Sequence, residues 1–232
     1  MTASRAQDEV TSETISGWNL TVSQPRRGYR YNMDPFFLTE FVELPAAARV
    51  VDLGTGVGII ALLLARRHAD FEEIVGIEIQ NSLAELAAAN VRRNRLENRI
   101  RIIHGDFYRL KEQLGAGAWT TVVSNPPYYQ RCQGRLNRCS QKAIARHELT
   151  TSLAELAATA GYLLKPGGEF YLIYPAERTA SLLAACTGAR LTPKKMQCLH
   201  PRPGQAAELI MLQARKDGNP GLEISAPRFI HP

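Results

Sequence analysis

A glycine-rich segment between residues 52 and 58 has the residue types of a ligand-binding loop. It reads Asp52-Leu53-Gly54-Thr55-Gly56-Val57-Gly58 and joins a short apolar run to a helical pattern. Glycine lets the chain turn tightly and lets a ligand approach the backbone where a Cβ atom would clash. Glu78 ends the next apolar run, about 20 residues after the last glycine, where a carboxylate can accept from ribose hydroxyls. The spacing predicts a nucleoside-containing cofactor. It does not separate NAD from other such ligands, although the DxGxGxG pattern favours one without a pyrophosphate.

A second chemical feature is the tetrapeptide Asn125-Pro126-Pro127-Tyr128, which follows the apolar run 120–124. Consecutive prolines fix φ and leave carbonyl oxygens without competing local N–H donors. We expect the side-chain oxygen of Asn125 and the carbonyl of Pro126 each to accept one N–H of an amino group conjugated to a base. Tyr128 would stack on that base. The alternative is a proline-rich turn that only ends a buried strand, and its position after a cofactor motif disfavours it.

The alternation of apolar runs and helical patterns predicts the elements that position these residues. Strands are predicted at 49–53, 73–78, 100–104, 120–124 and 169–174, and helices at 59–67, 82–95 and 152–164. This order is typical of βαβ units, so we predict an α/β fold with a mostly parallel sheet and helices on both faces. Residues 190–199 and 206–214 flank a proline–glycine turn and predict a C-terminal antiparallel hairpin. Asn125 then follows the carboxyl end of a strand, where open α/β sheets place ligands.

With these motifs the chain resembles the class I S-adenosylmethionine-dependent methyltransferases, which have a Rossmann-like sheet. The resemblance implies S-adenosyl-L-methionine as cofactor and S-adenosyl-L-homocysteine as product. Glu78 would hold the ribose, while Asp106 would read the adenine amino group and Phe107 would pack on the adenine ring. The methionine moiety would be lined by Asp52, Gly54, Gly56 and Gly58.

The tetrapeptide narrows the resemblance to amino-methylating enzymes. It occurs in adenine-N6 enzymes, in guanine-N2 rRNA enzymes and in enzymes that methylate a glutamine of release factors. The last group usually carries a helical domain before the cofactor motif, and only about 50 residues precede Asp52 here. Residues 24–38, 125–129 and 145–148 are similar to bacterial tRNA methyltransferases that act on N6 of adenosine 37 of a valine tRNA. The short tail 221–232 departs from that group.

Other functions fit some of the same residues. Guanine-N2 methylation of rRNA, or adenine-N6 methylation of another nucleic acid, would use the same site. An RNA-binding module with a vestigial methyltransferase fold is disfavoured, because the acidic residues, the glycines and Asn125 are all intact. An NAD-dependent oxidoreductase would leave residues 125–128 without a role.

Charge and composition limit the partners. The chain has 232 residues, 45% of them hydrophobic, a net charge of +6 and a pI near 9.3. The excess of arginine favours an anionic partner, and the resemblance specifies tRNA. The residues expected to contact the substrate are Arg26, Arg27, Arg30, Tyr129, Arg131 and Arg146.

A chain of this length with 45% hydrophobic residues can form one sizeable core, so we predict one methyltransferase domain over residues 17–232. The polar residues 1–16 are predicted to form a disordered tail before it. The four cysteines form no CxxC pair and no zinc-ligand spacing with histidine, so we expect free thiols and no metal. Neither a signal peptide nor a membrane helix is evident. We therefore expect a cytoplasmic protein, and the sequence does not specify its oligomeric state.

Overall fold

The computed structural model of the protein describes residues 10–126 and 153–231. Its strands are β1 (Val10–Ile15), β2 (Leu20–Pro25), β3 (Ala48–Leu53), β4 (Phe71–Glu78), β5 (Ile100–His104), β6 (Trp119–Ser124), β7 (Leu164–Pro175), β8 (Leu191–His200), β9 (Leu209–Lys216), β10 (Glu223–Ile224) and β11 (Arg228–Phe229). Its α-helices are α1 (Asp34–Phe41), α2 (Ile59–Arg67), α3 (Asn81–Arg93), α4 (Phe107–Leu114), α5 (Leu153–Leu163) and α6 (Thr179–Gly188).

Nine of the strands form one sheet in the order β10-β8-β9-β7-β6-β3-β4-β5, with β11 also pairing with β8. Strands β5, β4, β3, β6 and β7 are parallel, whereas β9 runs antiparallel between β7 and β8. The predicted mostly parallel α/β sheet with a terminal antiparallel hairpin is confirmed. Since β3, β4, β5 and β6 run the same way, their carboxyl ends meet at one edge of the sheet.

Two apolar clusters cover the two faces of the sheet. The first contains residues of α1, α2 and α3 together with Leu20 and Val22 of β2, and the second contains residues of α4, α5 and α6. Helix α2 has buried side chains from Ile59 to Ala65, because it lies between the sheet and the outer elements of the first face. This burial holds the start of α2, and therefore the glycine loop before it, against the sheet.

The N-terminal region differs from its prediction as a disordered tail. Residues Val10–Ile15 form β1, which pairs antiparallel with Leu20–Pro25. Few of the β1 side chains are apolar and three of them are exposed, so hydrophobicity alone could not reveal this strand. Main-chain pairing with β2 orders it instead. Helices α1, α4 and α6 were also not predicted, and each is only eight to ten residues long.

Asn90 of α3 and Asn94, the residue directly after that helix, attach the β1–β2 hairpin to the rest of the protein. The Asn90 amide donates to the carbonyl of Ser23 (2.8 Å) and accepts from the Ser23 N–H (2.8 Å). One turn later, Asn94 makes the same pair of bonds with Thr21 (2.8 and 2.9 Å). Asn90 also donates to the carbonyl of Val57 in the glycine loop (3.0 Å). The two side chains thus satisfy the edge of β2 as a neighbouring strand would, and Asn90 joins the hairpin to the loop.

Substitution of Asn90 by alanine should lower the free energy of unfolding by about 2 to 4 kcal/mol, because it leaves several buried backbone groups without partners. Urea denaturation measures the change. Asn81 is the matched control on the same helix, since it is exposed and bonds only to Glu85. Asn81→Ala should change the value by no more than about 0.5 kcal/mol. Equal effects of the two variants would show that the asparagine contacts with the hairpin contribute little.

Candidate active site

The glycine loop begins where β3 ends. Gly54, Gly56 and Gly58 all have positive φ, at 77°, 59° and 83°, which side chains with a Cβ rarely adopt. The N–H groups of Gly54 and Thr55 both donate to the carbonyl of Ile77 at the end of β4 (3.0 and 2.9 Å). These two bonds fold the loop over the neighbouring strand, so that it lies beside Glu78.

Asp52 lies beneath the loop and is fully buried. The Thr55 hydroxyl donates to its Oδ2 atom at 2.5 Å, while its Oδ1 atom has no hydrogen-bond partner among the described residues. Burial raises the pKa of Asp52 to about 7. The Thr55 bond and the nearby Ala61 N–H oppose this shift, and the charge of Glu78 adds to it. An unpartnered carboxylate oxygen at this depth is an acceptor available to a ligand with N–H or O–H groups.

Glu78 occupies the other side of the loop and is 5% exposed. Its Oε2 accepts from the Gly56 N–H (2.8 Å) and its Oε1 from the Gln80 N–H (2.9 Å). Burial raises the pKa of this carboxyl, and the two backbone bonds partly offset the rise. Each oxygen can still accept a further bond, because a carboxylate has about four acceptor positions. The backbone bonds hold the side chain where it could also accept from ribose hydroxyls.

The side chain of Tyr29, which lies between β2 and α1, packs against Gly56 of the glycine loop. A Cβ atom on Gly56 would be 2.7 Å from the Tyr29 hydroxyl oxygen and 2.8 Å from the ring. Burial raises the pKa of the Tyr29 hydroxyl, as do, in decreasing order, the nearby carboxylates of Glu78, Asp52 and Asp34. The segment between β2 and α1 therefore crosses the loop and closes one side of the site.

The end of β6 brings Asn125 to the same place. Parallel pairing sets Asp52 opposite Val123, and the Ser124 hydroxyl donates to the carbonyl of Leu53 at 2.8 Å. Asn125 therefore follows β6 beside the start of the glycine loop. Its side-chain oxygen Oδ1 is buried and has no partner among the described residues. A buried amide oxygen of this kind is an acceptor held ready for an N–H group.

At the end of β5, Asp106 acts as the N-cap of α4, since its Oδ1 accepts from the Tyr108 N–H at 2.9 Å. Phe107 is partly buried beside it. Ile79, directly after Glu78, is 43% exposed. His104 links the two strand ends, because its Nε2 lies 3.0 Å from the Ile79 carbonyl. Ile79 and Phe107 thus give the site an apolar side for a flat ring.

The structure brings together the predicted residues that follow β3, β4, β5 and β6 at one edge of the sheet. Arg26, Arg27 and Arg30 are exposed on the segment that carries Tyr29. Arg30 donates to the Thr11 hydroxyl and to the carbonyl of Pro25. Pro126, directly after Asn125, is partly buried. The predicted site residues outside the described ranges are Tyr128, Tyr129, Arg131 and Arg146.

Four further residues at or next to the site had no role assigned from the sequence. Ile79 had a detectable signal, since it is an apolar residue next to the acidic end of a strand. Asn90 and Asn94 had a weaker one, as two amides four residues apart on the apolar side of a helix. Tyr29 had none, because only the fold brings it to Gly56.

The fold is that of the class I methyltransferases. A solved structure of a predicted O-methyltransferase from Agrobacterium tumefaciens superposes with a TM-score of 0.69, at 25% identity over 86% of this chain and 88% of that one. Geranyl diphosphate C-methyltransferase from Streptomyces coelicolor, 15% identical over 78% of this chain and 76% of its own, shares the fold at a TM-score of 0.56.

Residues 35–184 match the model of the methyltransferase small domain, and the chain belongs to that family. Two curated relatives bear the name tRNA1(Val) (adenine(37)-N6)-methyltransferase. The one from Bacteroides fragilis is 29% identical over 79% of this chain and 76% of its own length. The one from Porphyromonas gingivalis is 34% identical over 71% of this chain and 64% of its own length. The protein is therefore a methyltransferase, and S-adenosylmethionine is its methyl donor.

Within residues 10–126 and 153–231, no group of three or more His, Cys, Asp or Glu side chains is arranged to hold a metal ion. The helices of the same ranges include none that is long and apolar enough to cross a membrane.

The contact between Tyr29 and Gly56 predicts that alanine is tolerated less well at Gly56 than at Gly54. Gly56→Ala should destabilise the protein by about 1 to 3 kcal/mol more than Gly54→Ala, because its new methyl group would collide with Tyr29. Gly54 is the matched control, since its φ is also positive but nothing lies within 4 Å of its Cβ position. Thermal unfolding and calorimetric titration with S-adenosylmethionine measure both variants. Similar losses at the two positions would mean that the backbone conformation alone matters.

The raised pKa of Asp52 predicts how stability depends on pH. Its pKa is 3.8 ordinarily and about 7 in the folded protein, so the folded state favours the protonated form. This contribution to stability is fully present below the ordinary pKa and is lost as the pH rises through about 7. Relative to Asp52→Asn, the wild type should therefore lose stability between about pH 4 and about pH 7 in urea denaturation. The exposed Asp70→Asn should follow the wild type, and parallel curves for Asp52→Asn would contradict the prediction.

Proposed function

We propose that this methyltransferase transfers the methyl group of S-adenosylmethionine to N6 of an adenine in tRNA. The observation that carries the proposal is the buried, unpartnered Oδ1 atom of Asn125 beside the glycine loop. An adenine amino group has two N–H bonds, and an acceptor fixed at this point would orient its nitrogen toward the cofactor side of the site. The shared names of the curated relatives support the choice of adenine and tRNA.

The described residues fit the cofactor. Its flat adenine ring suits the apolar surfaces of Ile79 and Phe107, and its ribose hydroxyls suit Glu78. The free Oδ1 atom of Asp52 and the open backbone of the glycine loop are left for the methionine moiety. When bound, S-adenosylmethionine supplies an electrophilic methyl group on a positively charged sulfur, and carboxylates nearby stabilise such charge.

The protein's own contribution is to position the base amine. The amine nitrogen is a weak nucleophile because its lone pair is delocalised into the ring. Bonds from its N–H groups to Asn125 Oδ1 and to the Pro126 carbonyl would increase the electron density on nitrogen and restrict its orientation. Tyr128 would stack on the base, which has to leave its own stack to enter the site. The exposed Arg26, Arg27 and Arg30, together with Tyr129, Arg131 and Arg146, would contact the surrounding phosphates. A tRNA substrate would place the enzyme in the cytoplasm.

The direct test is to incubate the protein with methyl-labelled S-adenosylmethionine and bacterial tRNA, then to identify the labelled nucleoside. Label in N6-methyladenosine is the expected result. Label in N2-methylguanosine would reject adenine as the target base. An absence of label, while calorimetry shows that the cofactor binds, would reject tRNA as the substrate.

Asn125→Ala should reduce kcat by at least about 100-fold, because it removes an acceptor that acts on the reacting amine. The affinity for S-adenosylmethionine should stay within a few-fold of that of the wild type, since Asn125 faces the base. Asn219→Ala is the matched control and should keep full activity, because this exposed asparagine follows β9, which runs antiparallel to β7 and so ends at the opposite edge of the sheet. Unchanged kcat in Asn125→Ala would remove the basis of the proposed chemistry.

A further inference from the structure

Four exposed arginines form a cluster where α2 and α3 end. This arginine patch consists of Arg66, Arg92, Arg93 and Arg95. The Arg66 guanidinium donates to the carbonyl of Asn94 at 3.2 Å, which joins the end of α2 to the end of α3. On the other side, Arg93 donates to the Ser12 hydroxyl of β1 at 3.2 Å. The patch thus lies on the N-terminal hairpin and on two helix ends that contact each other.

The patch carries a positive charge that the described carboxylates do not neutralise. None of its four side chains forms an ion pair with a carboxylate in residues 10–126 or 153–231. Six of the 13 other arginines in those ranges do form ion pairs, namely Arg49, Arg101, Arg109, Arg190, Arg215 and Arg228. Between residues 91 and 99 the sole acidic residue is Glu97. The cluster therefore keeps most of its guanidinium N–H groups free for an outside anion.

Helix ends explain only part of this clustering. Cations in the last turn of a helix interact favourably with the partial negative charge there, which accounts for Arg66, Arg92 and Arg93. Arg95 lies beyond the end of α3 and has a positive φ of 57°, so helix stabilisation does not account for it. Its conformation directs the chain around Asn94, whose side chain holds the hairpin. The arginine at this position thus adds charge to the patch without a structural requirement for it.

The patch is separate from the methyl-transfer site but within reach of one extended ligand. Helix α2 starts at the glycine loop and has nine residues, so at about 1.5 Å per residue Arg66 lies roughly 12 Å from the loop. Asn90 fixes this geometry, because it bonds both to Ser23 of the hairpin and to Val57 of the loop. A nucleotide in the active site could not touch the patch, whereas its neighbours along an RNA chain could.

We propose that the arginine patch binds the phosphate backbone of the RNA substrate outside the nucleotides that enter the active site. Guanidinium groups bind phosphate oxygens through paired N–H donors and remain charged at every physiological pH. The identity of the ligand as RNA rests on the proposed function. An anion-binding patch is supported by the exposure of its arginines and by their lack of carboxylate partners in the described ranges. Contacts of this kind should raise affinity for the RNA and leave the chemical step unchanged, because they lie away from the reacting amine.

The test compares the triple variant R92Q/R93Q/R95Q with the wild type and with the control R101Q/R190Q/R215Q. The control also removes three exposed arginine charges, but each of those arginines is paired with a carboxylate. Filter binding of a valine tRNA transcript at several KCl concentrations, without methylation, gives Kd and its salt dependence. Steady-state kinetics give KM and kcat, and calorimetry gives the affinity for S-adenosylmethionine.

The patch variant should raise the Kd and KM for tRNA roughly tenfold at moderate salt. It should also make the plot of log Kd against log salt concentration shallower by about 1 for each arginine that contacts a phosphate. Its kcat and cofactor affinity should match those of the wild type. Its melting temperature should fall by only a few degrees, because Arg92 and Arg93 lose their favourable interaction with the end of α3. Unchanged tRNA binding, or an equal loss in the control, would overturn the proposal. If the wild type binds tRNA through the patch but labels no adenine, the proposed function fails and the patch assignment stands.

Discussion

Parallel pairing between β3 and β6 is the constraint on which the site depends. It places Asp52 opposite Val123, so the two strands end together, and the Ser124 hydroxyl closes the junction on the Leu53 carbonyl. The glycine loop and Asn125 follow from these two ends. Residues 54–58 and 125 are about 70 positions apart in sequence, and adjacent strands in one parallel sheet bring them together. The glycine loop and Asn125 therefore belong to one edge of the fold.

Buried carboxylates are the main energetic cost of this edge. Asp52 is fully enclosed and Glu78 nearly so, and burial raises both pKa values. Backbone N–H groups of Gly56 and Gln80 and the Thr55 hydroxyl compensate part of the desolvation. What remains uncompensated is the Oδ1 atom of Asp52, together with the Oδ1 atom of Asn125. Unsatisfied buried acceptors are uncommon in folded proteins, and these two lie where a cofactor and an amino group would provide donors.

The N-terminal hairpin connects this edge to the surface. Its strand β2 has no neighbouring strand on the side of α3, and Asn90 and Asn94 replace one with their side-chain amides. The same attachment sets Tyr29 on the glycine loop and brings Ser12 to Arg93. These contacts fix the position of the β1–β2 hairpin, although it has few apolar residues. They also fix the segment before α1 that carries Arg26, Arg27 and Arg30, and the end of α3.

The sequence by itself determined the sheet, the order of the central elements and the cofactor loop. The predicted helix 59–67 and strand 100–104 have the observed bounds, because strong apolar periodicity and flanking glycines are local signals. Tertiary structure alone decided the contacts of Tyr29, the strand β1, the asparagine bonds to β2 and the bond from Arg66 to the carbonyl of Asn94. These depend on which surfaces pack together after the sheet has formed. No local pattern encodes them, because a polar residue such as Asn90 can face either solvent or a buried strand in the same local sequence.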